Sequence, residues 1–382
     1  MRRLFLVLAG VSLALMGCAA DEPSTGGEPS VPSPDPSSPT TTPDPSPTVP
    51  PTDAPPLAWG PTQAEYDQAV AIVADLPVES QAGQVIVARY PGLEPPTALV
   101  NELGLGGVIL MGDNVGSPEQ VSSVTTALQE SAGRAYPLMI GVDQEGGTVA
   151  RVTAPATEFP SYMTLGAAGD PDLATEVARA SGDELRAMGF TMVFAPDADV
   201  TSGPDDPTIR TRSASSDPQV VADIVSASLT GYADAGIVAV PKHFPGHGSV
   251  PADSHEELPV QTADAATLAG RDFIPFQAAV DAGASAVMVA HIDVQSVDPG
   301  VPSSLSPKVI GMLRTDLGFD GLVVTDAQDM AAITNTYGVG DAAVGALAAG
   351  ADVVLMPGDA AAARDAIVAG VAAGTLPAER LA

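Results

Sequence analysis

Residues 238–255 read Val-Ala-Val-Pro-Lys-His-Phe-Pro-Gly-His-Gly-Ser-Val-Pro-Ala-Asp-Ser-His. A short apolar run, Val238 to Val240, leads straight into Lys242 and His243. A loop rich in turn formers follows, with Pro245, Gly246 and Gly248. The chain has four histidines, and His243, His247 and His255 all fall here. Histidine titrates nearest neutrality of all side chains, so a cluster of this scarce residue with Lys242 and Asp253 reads as a site on a loop.

The same pattern, an apolar run ending in polar chemistry, recurs along the chain. Candidate strands are Val85–Arg89, Gly106–Met111, Leu138–Asp143, Thr191–Asp197, Val238–His243, Ala286–His291, Leu322–Asp326 and Asp352–Pro357. They are apolar on both faces, as buried parallel strands are. Amphipathic segments lie between them. Asp170–Gly189 opens with Asp-Pro and closes at glycine, which are helix start and stop signals. Asp217–Gly236 repeats the design, with Val221, Ile224, Val225 and Leu229 on one stripe. Strands alternating with helices predict a single α/β domain, a (β/α)8 TIM-type barrel, with a doubly wound open sheet as the alternative. Asp143, Asp197, Lys242, His243, His291 and Asp326 all end predicted strands, and in barrel enzymes that rim builds the site.

The first 58 residues are of another kind. Arg2 and Arg3 precede Leu4–Met16, an apolar run of about 13 residues, too short to span a bilayer and suited to a signal peptide. It ends Leu-Met-Gly-Cys18, similar to a bacterial lipobox, so residues 1–17 are expected to be a lipoprotein signal peptide and Cys18 the lipidated residue. Residues 18–58, rich in Pro, Ser and Thr, cannot offset the entropy of ordering them and read as an extended tether. Residues 59–382 then form the globular domain, with Trp59 packing at its edge. The expected location is the outer face of a bacterial cell membrane, reached through the lipid anchor alone. Cys18 is the only cysteine, which excludes an internal disulfide and a multi-cysteine metal site. A net charge of −32 argues against a nucleic-acid partner. A monomer is the default expectation.

Several constellations carry chemistry. Asp326, at a strand end, is either a nucleophile or stabiliser of a cationic transition state, or a helix N-cap. Asp253 and His255, one residue apart, share one side of an extended loop, so the carboxylate can orient the ring and favour its protonated form. A structural loop ion pair is the plainer reading. His243 and His247 have the i, i+4 spacing of helical zinc sites, but Pro245 and two glycines disfavour a helix there, so no metal is expected. Asp143 and Arg151 flank a Gly-Gly turn and suit either hydroxyl recognition or an internal salt bridge. Arg212 precedes a helix start, where a surface role is the default. Asp199 is expected in support, and His247 and His291 as loop-fixing groups.

Five ordered motifs together resemble glycoside hydrolase family 3, in its bacterial β-N-acetylglucosaminidase branch. They are Val142-Asp-Gln-Glu-Gly-Gly147 with Arg151, Phe194-Ala-Pro-Asp-Ala-Asp-Val200, Arg212-Ser213 with Ser216-Asp-Pro218, Lys242–Gly248 with Asp253-Ser-His255, and Thr325-Asp326 with Asp329-Met330. The resemblance spans about residues 61–382. It implies a (β/α)8 barrel without cofactor, Asp326 as catalytic nucleophile, and His255 supported by Asp253 as acid/base. Asp143, Arg151, Arg212, Lys242 and His243 would hold a terminal N-acetylglucosamine. The implied reaction is retaining removal of that sugar from an oligosaccharide or muropeptide, with phosphorolysis, β-glucosidase activity or a non-catalytic binding lipoprotein as alternatives. The chain departs from the family pattern at Thr148, Ala214 and Gln328, and it ends at Ala382, where relatives continue through a last helix.

Overall fold

The computed structural model describes residues 57–381. The expected signal peptide, Cys18 and all but the last two tether residues lie outside that range. Each of the eight apolar runs contains a strand, shorter than its run. These are β1 (Ile86–Ala88), β2 (Gly107–Leu110), β3 (Met139–Val142), β4 (Met192–Val193), β5 (Val238–Ala239), β6 (Ala286–Val289), β7 (Leu322–Thr325) and β8 (Val354–Leu355).

Six strands form one curled parallel sheet, in the order β8-β1-β2-β3-β4-β5, while β6 and β7 pair in a separate two-stranded sheet. The two sheets touch through single parallel bridges, Phe244 to Val289 on one side and Val324 to Val353 on the other. The expected barrel is thus present as a curled sheet and a strand pair, not as one continuous eight-stranded ladder. On one side the cause is local chemistry. Pro241 accepts from the Met288 amide at 3.0 Å but has no N–H to return, and neither has Pro245.

The two expected helices form as Pro171–Ala187 and Pro218–Asp234. Asp170 accepts from the Leu173 amide at 3.2 Å and Asp217 from the Gln219 amide at 2.9 Å, each satisfying a donor that a helix start leaves free. The stripe Val221, Ile224, Val225 and Leu229 is buried as its spacing required. After β8, helix Ala360–Ala373 packs on the segment before β1 and on β1 itself.

Because side chains alternate along a strand, the sheet carries two cores. Ile86, Ala88, Val108 and Leu110 point outward, under the helices. Val87, Ile109, Phe194, Val240, Met288, Val324 and Leu355 fill the inside of the curl. Gly141 of β3 makes room there. A Cβ at this position would sit 2.7 Å from Cε2 of Phe194, a ring with no exposed surface. Gly141→Ala should therefore cost about 1–3 kcal/mol through overpacking and lower the thermal midpoint. Phe194→Leu in the Gly141→Ala background should recover part of that loss, because the two positions share one space.

Candidate active site

Strand ends set the site. Asp143 follows β3, Asp326 follows β7, and Lys242 and His243 leave β5. Together with Arg151, Arg212 and His255 they line a pocket of ≈ 250 Å³ on the C-terminal side of the strands. Seven of the eight residues given a catalytic or sugar-holding role in the sequence thus converge. The eighth, Asp253, stands behind His255 and accepts from its Nδ1 at 2.8 Å. Arg212, for which a surface position was the default, lies instead deep in the wall, its side chain 13% exposed.

Asp143 and Glu145 are two residues apart, which turns both carboxylates the same way, while Gln144 faces the other side. There Gln144 accepts from the amides of Arg151 and Val152 at 2.8 and 3.0 Å, fixing the return of the Gly-Gly turn. Lys242 Nζ bridges the two acids, donating to Asp143 at 2.7 Å and lying 2.8 Å from Glu145. Arg212 binds Glu145 with two parallel bonds of 2.9 and 2.8 Å, the strong fork geometry of guanidinium and carboxylate. Burial would push the Glu145 carboxyl up, but Arg212 and Lys242 outweigh it and hold it well below the usual range. Arg151 meets Asp143 more loosely, at 3.8 Å, so it can turn to a ligand.

Beneath these cations lie Asp197 and Asp199, both fully buried. Burial, with each acid facing the other, raises Asp197 well above the ordinary value. Asp199 is pushed up to about 6, chiefly by burial. Burial and the nearby Arg212 lower His243 far below neutrality, so its ring is uncharged. The tautomer follows from its neighbours. Arg212 Nη2 can only donate, so His243 Nε2, 3.2 Å away, accepts. Nδ1 then carries the hydrogen and donates to Asp199 at 2.7 Å. Asp197, Asp199 and His243 bring ligand-type atoms within 4.8 Å of one another. Arg212 Nε already lies 3.7 Å from Asp197, so a metal ion there would face a fixed positive charge.

Asp326 caps no helix. Its Oδ1 accepts from the Ala327 amide at 2.8 Å, and the next helix starts at Ala331. Burial would raise its pKa, but its surroundings outweigh that and lower it, the Ala327 amide and the Lys242 ammonium among them, which keeps the carboxylate ionised. His291 is locked between Ser304 Oγ at 2.7 Å and the Ala327 carbonyl at 3.0 Å, so it fixes the backbone beside Asp326. His255 is the contrast. Its side chain is 66% exposed, held out on the loop that crosses the pocket mouth. Burial would raise the Asp253 carboxyl, but the amide and the side chain of His255 both bond it and together hold it below the usual range.

Sequence reasoning assigned no role to Glu145, although its alternation with Asp143 was a usable signal. It also passed over Arg89, which bridges Asp113 at 3.7 Å and Asp329 at 3.8 Å on the rim, because those partners are far apart in the chain. Of the departures from the family pattern, Thr148 is exposed at the turn and Ala214 is buried. Gln328 is buried and donates to the Ala342 carbonyl at 3.1 Å. Removing the carboxylate in Glu145→Ala leaves Arg212 and Lys242 buried without their shared counter-charge. It should destabilise the protein by about 3–5 kcal/mol in denaturant unfolding, with Glu145→Gln losing less because it keeps an acceptor.

Residues 78–382 match the Glycosyl hydrolase family 3 N terminal domain. The chain is 37% identical over 286 residues to beta-hexosaminidase A of Pseudoalteromonas piscicida, covering 69% of this chain and 48% of that one. It therefore spans about half the length of that relative. It is 34% identical over 304 residues to beta-hexosaminidase LpqI of Mycobacterium tuberculosis, covering 77% of each. Among solved structures it is similar to a family 3 beta-N-acetylglucosaminidase from Paenibacillus, with a TM-score of 0.78 and 40% identity over 80% of this chain and 60% of that one. Curled parallel sheet, strand-end chemistry and ordered motifs agree with these likenesses: the chain belongs to glycosyl hydrolase family 3.

Proposed function

We propose that this protein is a retaining exo-β-N-acetylglucosaminidase acting through a covalent glycosyl-Asp326 intermediate. The observation that carries the reading is an ionised carboxylate at the end of β7, sharing one pocket with a carboxylate-backed imidazole at the mouth. Asp326 attacks the anomeric carbon while protonated His255 gives its Nε2 proton to the leaving oxygen. The C–O bond to the aglycone breaks as the ester to Asp326 forms. Neutral His255 then takes a proton from the attacking water, and the sugar leaves with its configuration retained. Asp253 accepts from Nδ1, so Nε2 is the nitrogen left to face substrate. Asp143, Arg151, Arg212, Lys242 and His243 hold the hydroxyls of the terminal sugar, with Glu145 fixing the spacing of the two buried cations. The single bridges on either side of the strand pair support reading the two sheets as one (β/α)8 barrel around the site. With export and a lipid anchor at Cys18, the substrate class would be peptidoglycan fragments met outside the cytoplasm by a monomer.

The test follows release from an aryl β-N-acetylglucosaminide, with and without phosphate. Wild type should turn over and Asp326→Asn should fall below detection. His255→Ala should lose about 10²–10⁴-fold in kcat/KM on an alkyl glycoside and much less on an activated aryl one. Sugar phosphate as the product would redirect the reading to phosphorolysis, and turnover of glucosides alone would redirect it to a β-glucosidase. A folded wild type inert on every glycoside would leave only sugar binding.

A further inference from the structure

Between the two residues assigned to proton transfer sits one that faces the opposite way. Asp253 and His255 reach solvent, with side chains 32% and 66% exposed, yet Ser254 is 2% exposed. Its Oγ lies 2.9 Å from Nε2 of His247, and its carbonyl accepts from the Ala332 amide at 3.2 Å. His247 is itself anchored, since its backbone amide donates to Asp199 and its ring is buried. Ala332 lies in the first turn of the helix that follows Asp326. The middle of the loop is therefore pinned on one side to the carboxylate cluster under the sugar site and on the other to the segment carrying Asp326. Among the described residues Nδ1 of His247 has no partner, so there the bond to Ser254 is the one hydrogen bond its ring makes.

We infer that Ser254 and His247 are positioning residues for His255: their bond is a latch that sets how far the exposed imidazole reaches over the pocket. An exposed side chain has no packing of its own to fix it, so its placement is decided where its backbone is held. The inference rests on the acid/base reading of His255. Ser254 and His247 also line the pocket, so a latch is told from direct sugar contact and from general structural support by its acting through His255 alone.

The test uses the full-length protein with two β-N-acetylglucosaminides, one with an alkyl leaving group and one with a dinitrophenyl leaving group. Ser254→Ala should lower kcat/KM at least about tenfold on the alkyl glycoside and less than about threefold on the activated one, the split that weakened leaving-group protonation gives. His247→Phe keeps an aromatic ring and removes the latch from the other side, so it should show the same split. Adding Ser254→Ala to His255→Ala should cause no further loss on either substrate. Equal losses on both substrates, or a second loss in the double variant, would overturn the latch while leaving the acid/base role intact. A His255→Ala variant that fails to distinguish the two substrates would remove the acid/base role and the latch with it.

Discussion

The contact on which the site depends is the fork between Arg212 and Glu145, buried beside Lys242. Taking charges from water costs more than a bare ion pair returns, so such a group persists only where hydrogen bonds and neighbours complete it. Here they do. Glu145 serves two cations, Lys242 serves two acids, and the deeper acids adjust. Asp197 is driven toward its neutral form, while His243 stays uncharged and donates a hydrogen bond from Nδ1 to Asp199. The cluster links the ends of β3, β4 and β5 with the loop carrying Arg212, so it sets the distances among the groups that face the pocket. A surface with a large negative charge thereby encloses a pocket wall with two fixed positive centres.

The two halves of the chemistry are held by different means. Asp326, Asp143, Lys242 and His243 follow strands whose backbones are hydrogen-bonded and packed on both faces. His255 leaves a loop and is secured by Asp253 and by the anchoring of its neighbour. In the proposed reaction the nucleophile would be fixed by the sheet, and the proton donor by a few side-chain bonds. That division suits a group that must deal with leaving groups of different shape and then with water.

Much of this was legible in the residues. Strands buried on both faces are apolar throughout, so all eight runs stood out, and Asp-Pro openings marked the helices within one or two residues. The convergence of Asp143, Lys242, His243 and Asp326 followed from their place at strand ends. What could not be read depended on distance. Arg212 and Glu145 are 67 positions apart, and nothing local says that a loop arginine will turn inward to meet a strand-end acid. The interrupted ladder was also hidden, because Pro241 breaks the pairing only once β6 is known to lie beside it. Ser254 has no signal of its own in the sequence, because only its burial sets it apart from its two neighbours.

The inner core has a consequence of its own. Ile109, Met288 and Leu355 belong to the cluster that fills the curl, and the same side chains form part of the pocket floor. Deepening the pocket would therefore mean hollowing the core, at roughly 24 cal/mol for each Å³ left empty. The route to a new sugar specificity is not downward. Variation that leaves the fold intact is confined to the rim, where Thr148, Arg89 and the loop before His255 can change without subtracting from the sheet. Room for change lies at the mouth, and the floor is held in place by the needs of the core.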